Sequence, residues 1–170
     1  MHAPTPHSGR FALLVDGDPA TRTIIGPALP DGLQLVQSRT GSAALALLQR
    51  MAGHFGLALV TLDLDDMPGR VVIDTIRLFR PEIPVICLSR GQGVKAETDV
   101  QCLAKEGDGT TLRVRLQEMR NTHGASWPVP GATAAAIEQA RTTFALTGDL
   151  TLAARELLRG EPSEPRGNLP

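Results

Sequence analysis

Gly56-Leu57-Ala58-Leu59-Val60-Thr61-Leu62 runs almost unbroken in apolarity into Asp63-Leu64-Asp65-Asp66-Met67-Pro68-Gly69. A run of this length, bounded by turn formers, reads as a strand buried on both faces, the pattern of a parallel sheet. It delivers a cluster of carboxylates at its C-terminal end. Toward the N-terminus the same pattern recurs, because Phe11-Ala12-Leu13-Leu14-Val15 ends in Asp16-Gly17-Asp18-Pro19. Between the two lie a helix from Pro19 to about Leu29, kinked or shortened by Pro27, and a weaker strand over Leu33 to Val36. Ala43, Leu47, Leu48 and Met51 then follow at helical spacing.

Toward the C-terminus, Val72, Ile73, Ile76 and Phe79 give one apolar side to a helix over Val71 to Phe79, which Arg80-Pro81 closes. Pro84 to Leu88 reads as a fourth strand, ending in Ser89-Arg90, and Val100 to Ala104 as a fifth that delivers Lys105. Leu112 to Met119 reads as the closing helix. Strands alternating with helices at this spacing predict an α/β fold with a five-stranded parallel sheet and helices on both faces. The carboxyl ends of the strands form the natural site of such a sheet, and here they carry Asp16, Asp18, Asp63, Ser89 and Lys105.

The totals agree with one ordinary domain and a smaller appendage. The chain has 170 residues, 42% of them apolar and 21% charged, which excludes a disordered, collagen-like or coiled-coil protein. A net charge of -1 supplies no bulk attraction to phosphate backbones or anionic lipids. Met1 to Arg10 has no apolar run, so neither a signal peptide nor an anchor is expected there, and no stretch approaches a membrane span. Cys87 and Cys102 fit no metal spacing; they are expected on neighbouring strands as small hydrophobes of the core, in a reducing cytoplasm. The four histidines have no ligand spacing and are expected to be solvated, and Asp65 and Asp66 are expected to cap the helix that follows them.

Four segments together resemble a response-regulator receiver domain, the phosphoacceptor module of two-component signalling. They are Leu13 to Pro19, Leu59 to Gly69, Arg80 to Ser89 and Cys102 to Lys105, in the family's order and at nearly its spacing, within residues 11–121. The resemblance implies a flavodoxin-like receiver fold, a cytoplasmic location and a sensor histidine kinase or other signalling protein as partner. It implies Asp63 as phosphoacceptor, Asp16, Asp18 and Asp63 around a Mg²⁺ ion, Ser89 as the hydroxyl that meets the phosphoryl group, and Lys105 as the fixed ammonium. The chemistry needs such a set, since a carboxylate attacks a phosphoryl group only when the crowded negative charge is offset.

The chain departs from the family's pattern at several of these places. Gly17 stands where a second acid is usual, Pro68 falls five residues after Asp63 rather than four, and Arg90 replaces a small residue after the hydroxyl. Cys102 takes the place of the aromatic switch residue, Glu106 that of the proline after the lysine, and fifteen residues between Ser89 and Lys105 shorten the fourth helix. The implied protein is a non-catalytic, atypical receiver, or a pseudo-receiver that signals by constitutive protein contacts; phosphorylation of Asp63 stays open at this point. Asp16-Gly17-Asp18 also resembles the DxD start of haloacid-dehalogenase phosphohydrolases, but there the acidic pair comes last, whereas Asp65-Asp66 precedes both Ser89 and Lys105.

Residues 1–10 and 160–170 are expected to be disordered and 122–131 to form a Pro- and Gly-rich linker, leaving 132–159 as a helical hairpin. Gly148 to Leu158 resembles the first part of a Fis-type helix-turn-helix, as in the PrrA and RegA group of regulators, which makes a DNA-binding transcriptional regulator the alternative. Arg159-Gly160-Glu161-Pro162 stops the pattern where a recognition helix would begin, and four arginines against five acids from Thr122 onward give no basic surface. Two short helices bury no core alone, so the hairpin is expected to pack on the receiver-like part or on a second copy as a homodimer.

Overall fold

A computed structural model describes residues 10–51, 53–89, 102–104, 113–114, 116–118 and 133–159. Residues 1–9 and 160–170 of the two expected disordered ends, the linker, Arg90 and Lys105 lie outside the described residues. In chain order the elements are β1 (Phe11–Val15), α1 (Pro19–Ala28), β2 (Gln34–Ser38), α2 (Gly41–Arg50), β3 (Phe55–Thr61), α3 (Gly69–Phe79), β4 (Val85–Ser89) and β5 (Cys102–Ala104). The helical residues 113–114 and 116–118 form α4, followed by α5 (Ala134–Thr147) and α6 (Leu150–Arg159).

All strand pairs are parallel, in the order β2-β1-β3-β4-β5. Four strands have five to seven residues, and β5 is described over three at the edge. The strand alternation divides the apolar runs between two cores. Leu13, Val15, Ala58, Val60, Val85 and Cys87 face α2 and α3, while Ala12, Leu14, Leu57, Leu59, Ile86, Leu88 and Leu103 share a core with Ile25 and Ala28 of α1 and Leu116 of α4.

Local chemistry sets the element ends. Asp18 caps α1 by accepting from the Ala20 amide at 2.9 Å, and Pro19 suits the first helical position. Pro27 falls in the last turn, where the bond it forfeits would be among the helix's last, so the helix runs through it and stops at Ala28. Gly69 opens α3 against the backbone of β3: its amide donates to Leu62 O at 2.8 Å, and a Cβ there would collide with Thr61 O and Leu62 Cα. That contact requires glycine, and it ends β3 at Thr61, one residue before the end expected from apolarity.

The α5–α6 hairpin turns on Gly148, left-handed at φ 64°, and on Asp149, which accepts from the Thr151 and Leu152 amides at 2.8 and 3.2 Å. Ala140, Leu150, Ala153, Ala154 and Leu157 are buried in the same core as α2 and α3. The Phe79 and Phe144 rings lie 4.6 Å apart, and Gln49 Oε1 of α2 accepts from the Leu150 amide at 3.0 Å. The apolar face of α6 is therefore spent on the rest of the chain.

One expectation for the core changes. Cys87 is fully buried, as a small hydrophobe would be, but its sulfur is held in a disulfide. Core packing alone does not describe it, because the parallel pairing sets Cys102 opposite it.

Candidate functional site

The C-terminal ends of β1 and β3 meet through a buried pair. Val15 and Val60 are Cα partners, so the next residues, Asp16 and Thr61, stand level with each other. Asp16 is 2% and Thr61 4% exposed, and Asp16 Oδ2 accepts from Thr61 Oγ1 at 2.7 Å. The other carboxylate oxygen, Oδ1, accepts from the Asp18 amide at 2.8 Å. Gln37 Nε2 donates to the carbonyls of Asp16 and Asp18 at 3.0 and 3.2 Å, which fixes the loop after β1 from the side of β2.

The remaining acids have local tasks. Asp18 is committed to the N-terminus of α1. Asp66 caps α2, the helix before it in the chain, instead of the α3 helix expected: Oδ1 accepts from the Gly41 amide at 2.9 Å, and Oδ2 from the Ser42 amide and hydroxyl at 2.8 Å each. Partial burial pushes its carboxyl up, and these Ser42 and Gly41 hydrogen bonds outweigh that, holding the group below the ordinary value of 3.8. Asp65 leans over the first loop, with Oδ2 4.0 Å from where a Cβ on Gly17 would stand. Asp63 lies two residues beyond the end of β3 and is exposed.

Ser89 is buried at the last position of β4. Thr61 is the Cα partner of Leu88, so Ser89 stands one step further along and on the other pleat. Lys105 lies outside the described residues, and with it the expected meeting of ammonium and phosphoacceptor.

No family profile matches the chain, and no curated protein matches it in sequence. Solved structures do. The signal receiver domain of an HD-domain-containing protein from Pseudomonas fluorescens Pf-5 superposes with a TM-score of 0.59 at 22% identity, over 74% of this chain and 96% of that one. The chemotaxis response regulator CheY4 of Vibrio cholerae gives 0.55 at 20% identity, over 64% and 97%. A CheY-like receiver domain from Methanospirillum hungatei JF-1 gives 0.54 at 21% identity, over 68% and 97%. The fold is that of a response-regulator receiver domain.

Within this receiver fold the expected cation set is not assembled. Asp16, Asp18 and Asp63 are all described, and among the described residues no three acidic, histidine or cysteine side chains are placed to hold a metal ion. Mg²⁺ demands near-octahedral oxygen ligation, usually from one or two free carboxylates and several waters. Here both Asp16 oxygens accept protein hydrogen bonds, Asp18 caps a helix, and Asp63 is exposed two residues beyond β3. Among the described residues, the three acids do not form a ready three-carboxylate set for the ion. The residue that faces Asp16 across the strand ends is Thr61, next to last in the apolar run Gly56 to Leu62 and not among the expected site residues. Its one signal was being the single polar residue inside an apolar run.

Proposed function

We propose that the chain is a pseudo-receiver, a signalling module of receiver fold that acts through constitutive contacts with a sensor histidine kinase or another signalling protein in the cytoplasm, without catalysis of its own. The observation that carries this reading is the Asp16–Thr61 hydrogen bond, which places a hydroxyl where a strand-end carboxylate would be needed beside Asp16. A threonine hydroxyl adds no charge for a divalent cation and forms no acyl phosphate. Among the described residues no set of metal-ligating side chains gathers around Asp63, which is exposed and outside that pair, to offset the charge of an attacking phosphoryl donor.

The hairpin favours protein contacts over DNA. The face of α6 that resembles a helix-turn-helix contains Leu150, Ala153, Ala154 and Leu157, all buried against the receiver fold. The experiment is incubation of the full chain with acetyl phosphate and Mg²⁺, read by intact mass. The expected result is an unchanged mass; a phosphoryl adduct that disappears in Asp63→Asn protein would overturn the proposal.

A further inference from the structure

We propose that Cys87 and Cys102 form a redox-responsive clasp that locks the edge strand β5 onto β4, oxidised by a small-molecule disulfide and reopened by a thiol. Cys87 is fully buried, so its disulfide partner must come from its own chain. The chain holds one other cysteine, Cys102, and the β4–β5 register makes the two residues Cα partners. Adjacent strands lie about 5 Å apart, within the Cα separations that disulfides span.

Placement at the edge makes the bond reversible rather than a fixed staple. Among the described strands β5 stands at the edge, paired with β4 alone, so its release costs far less than opening β1, β3 or β4. Opening it gives a reagent a way to a sulfur that is closed off in the folded sheet. In oxidation one cysteine thiolate attacks a sulfur of the disulfide RSSR, forming a mixed disulfide and expelling RS⁻. The second cysteine thiolate attacks the protein sulfur of that mixed disulfide and expels the second RS⁻. The two cysteine protons end on the two leaving thiolates, so RSSR gains two electrons and the protein gains one S–S bond. The inference stands on the pairing of β4 with β5 and does not depend on the signalling reading.

The test is hydrogen exchange with mass spectrometry on the full chain, equilibrated with oxidised or reduced glutathione, alongside thiol alkylation. Reduction is expected to release two alkylatable thiols without unfolding and to speed exchange at β5 on the order of tenfold or more, with β1 and β3 unchanged. Oxidised glutathione is expected to restore the slow exchange. Cys102→Ser, a change on the edge strand, is expected to abolish the redox dependence while the chain stays folded. Exchange at β5 that is the same in both glutathione states, thiols that appear only on global unfolding, or an unaltered redox response in Cys102→Ser would each overturn the proposal.

Discussion

The polar strand ends of β1 and β3 and the apolar face beneath the hairpin use their residues in opposite ways. At the strand ends, side chains suited to chemistry have been drawn into architecture: Asp16 is bonded to Thr61, Asp18 caps α1 and Asp66 caps α2. Across the sheet, α2 and α3, which could have stayed a plain outer layer, carry two further helices that share their core. The difference teaches that rim and layers are separable: the carboxylates at the strand ends serve local bonds and caps, while the buried apolar side chains lie in the layers beside the sheet.

The largest effect is expected at the hairpin. Leu157→Ala removes a buried side chain between α6 and the α2–α3 face and should destabilise the whole chain by about 3 kcal/mol in urea unfolding, as one cooperative transition. A separate early transition for the hairpin would break the comparison by making it an independent unit.

Gly69→Ala comes next, at about 2 kcal/mol, since its Cβ meets rigid backbone rather than a side chain that can move. Thr61→Val keeps the shape of β3 but leaves Asp16 Oδ2 without its hydroxyl donor, an expected loss of about 1.5 kcal/mol by thermal unfolding at pH 7. Thr61→Asp sharpens the same point: two carboxylates at the strand ends should repel each other, and Mg²⁺ should raise the melting temperature of this variant and leave the wild type unmoved.

Asp66→Ala gives the smallest effect, about 1 kcal/mol at neutral pH, the usual scale of a lost helix cap. Its sign with pH is fixed. The folded-state carboxyl titrates below its ordinary value of 3.8, so the stability it contributes is complete above that value and is lost as pH falls through the lower, folded one. The difference between wild type and variant should therefore narrow as acid is added below about pH 4, which unfolding curves at stepped pH would show.

Much of the fold was legible because it is written in local pattern. Unbroken apolar runs marked β1, β3 and β4, and helical spacing marked α2, α3 and the hairpin helices, with ends displaced by a residue or two. What failed was information that exists only after the sheet pairs. Leu62 extends the apolar run, yet β3 stops at Thr61 where Gly69 crowds its backbone, and that shift takes Asp63 off the strand end. Thr61 and Asp16 are 45 residues apart, and no periodicity links them. Asp66 was expected to cap the helix after it, since a carboxylate in a loop carries no mark of which helix it will reach. The two cysteines read as hydrophobes because their facing positions depend on the β4–β5 register.

The central claim is that the strand ends of this receiver fold no longer respond to the phosphoryl and cation chemistry for which such a rim is suited. An amide NMR titration of the full chain with Mg²⁺ and beryllofluoride tests it most directly. The account predicts amide positions for Asp16, Thr61, Asp63 and Ser89 that stay fixed throughout. Saturable shifts at those four residues, lost in Asp63→Asn protein, would contradict it.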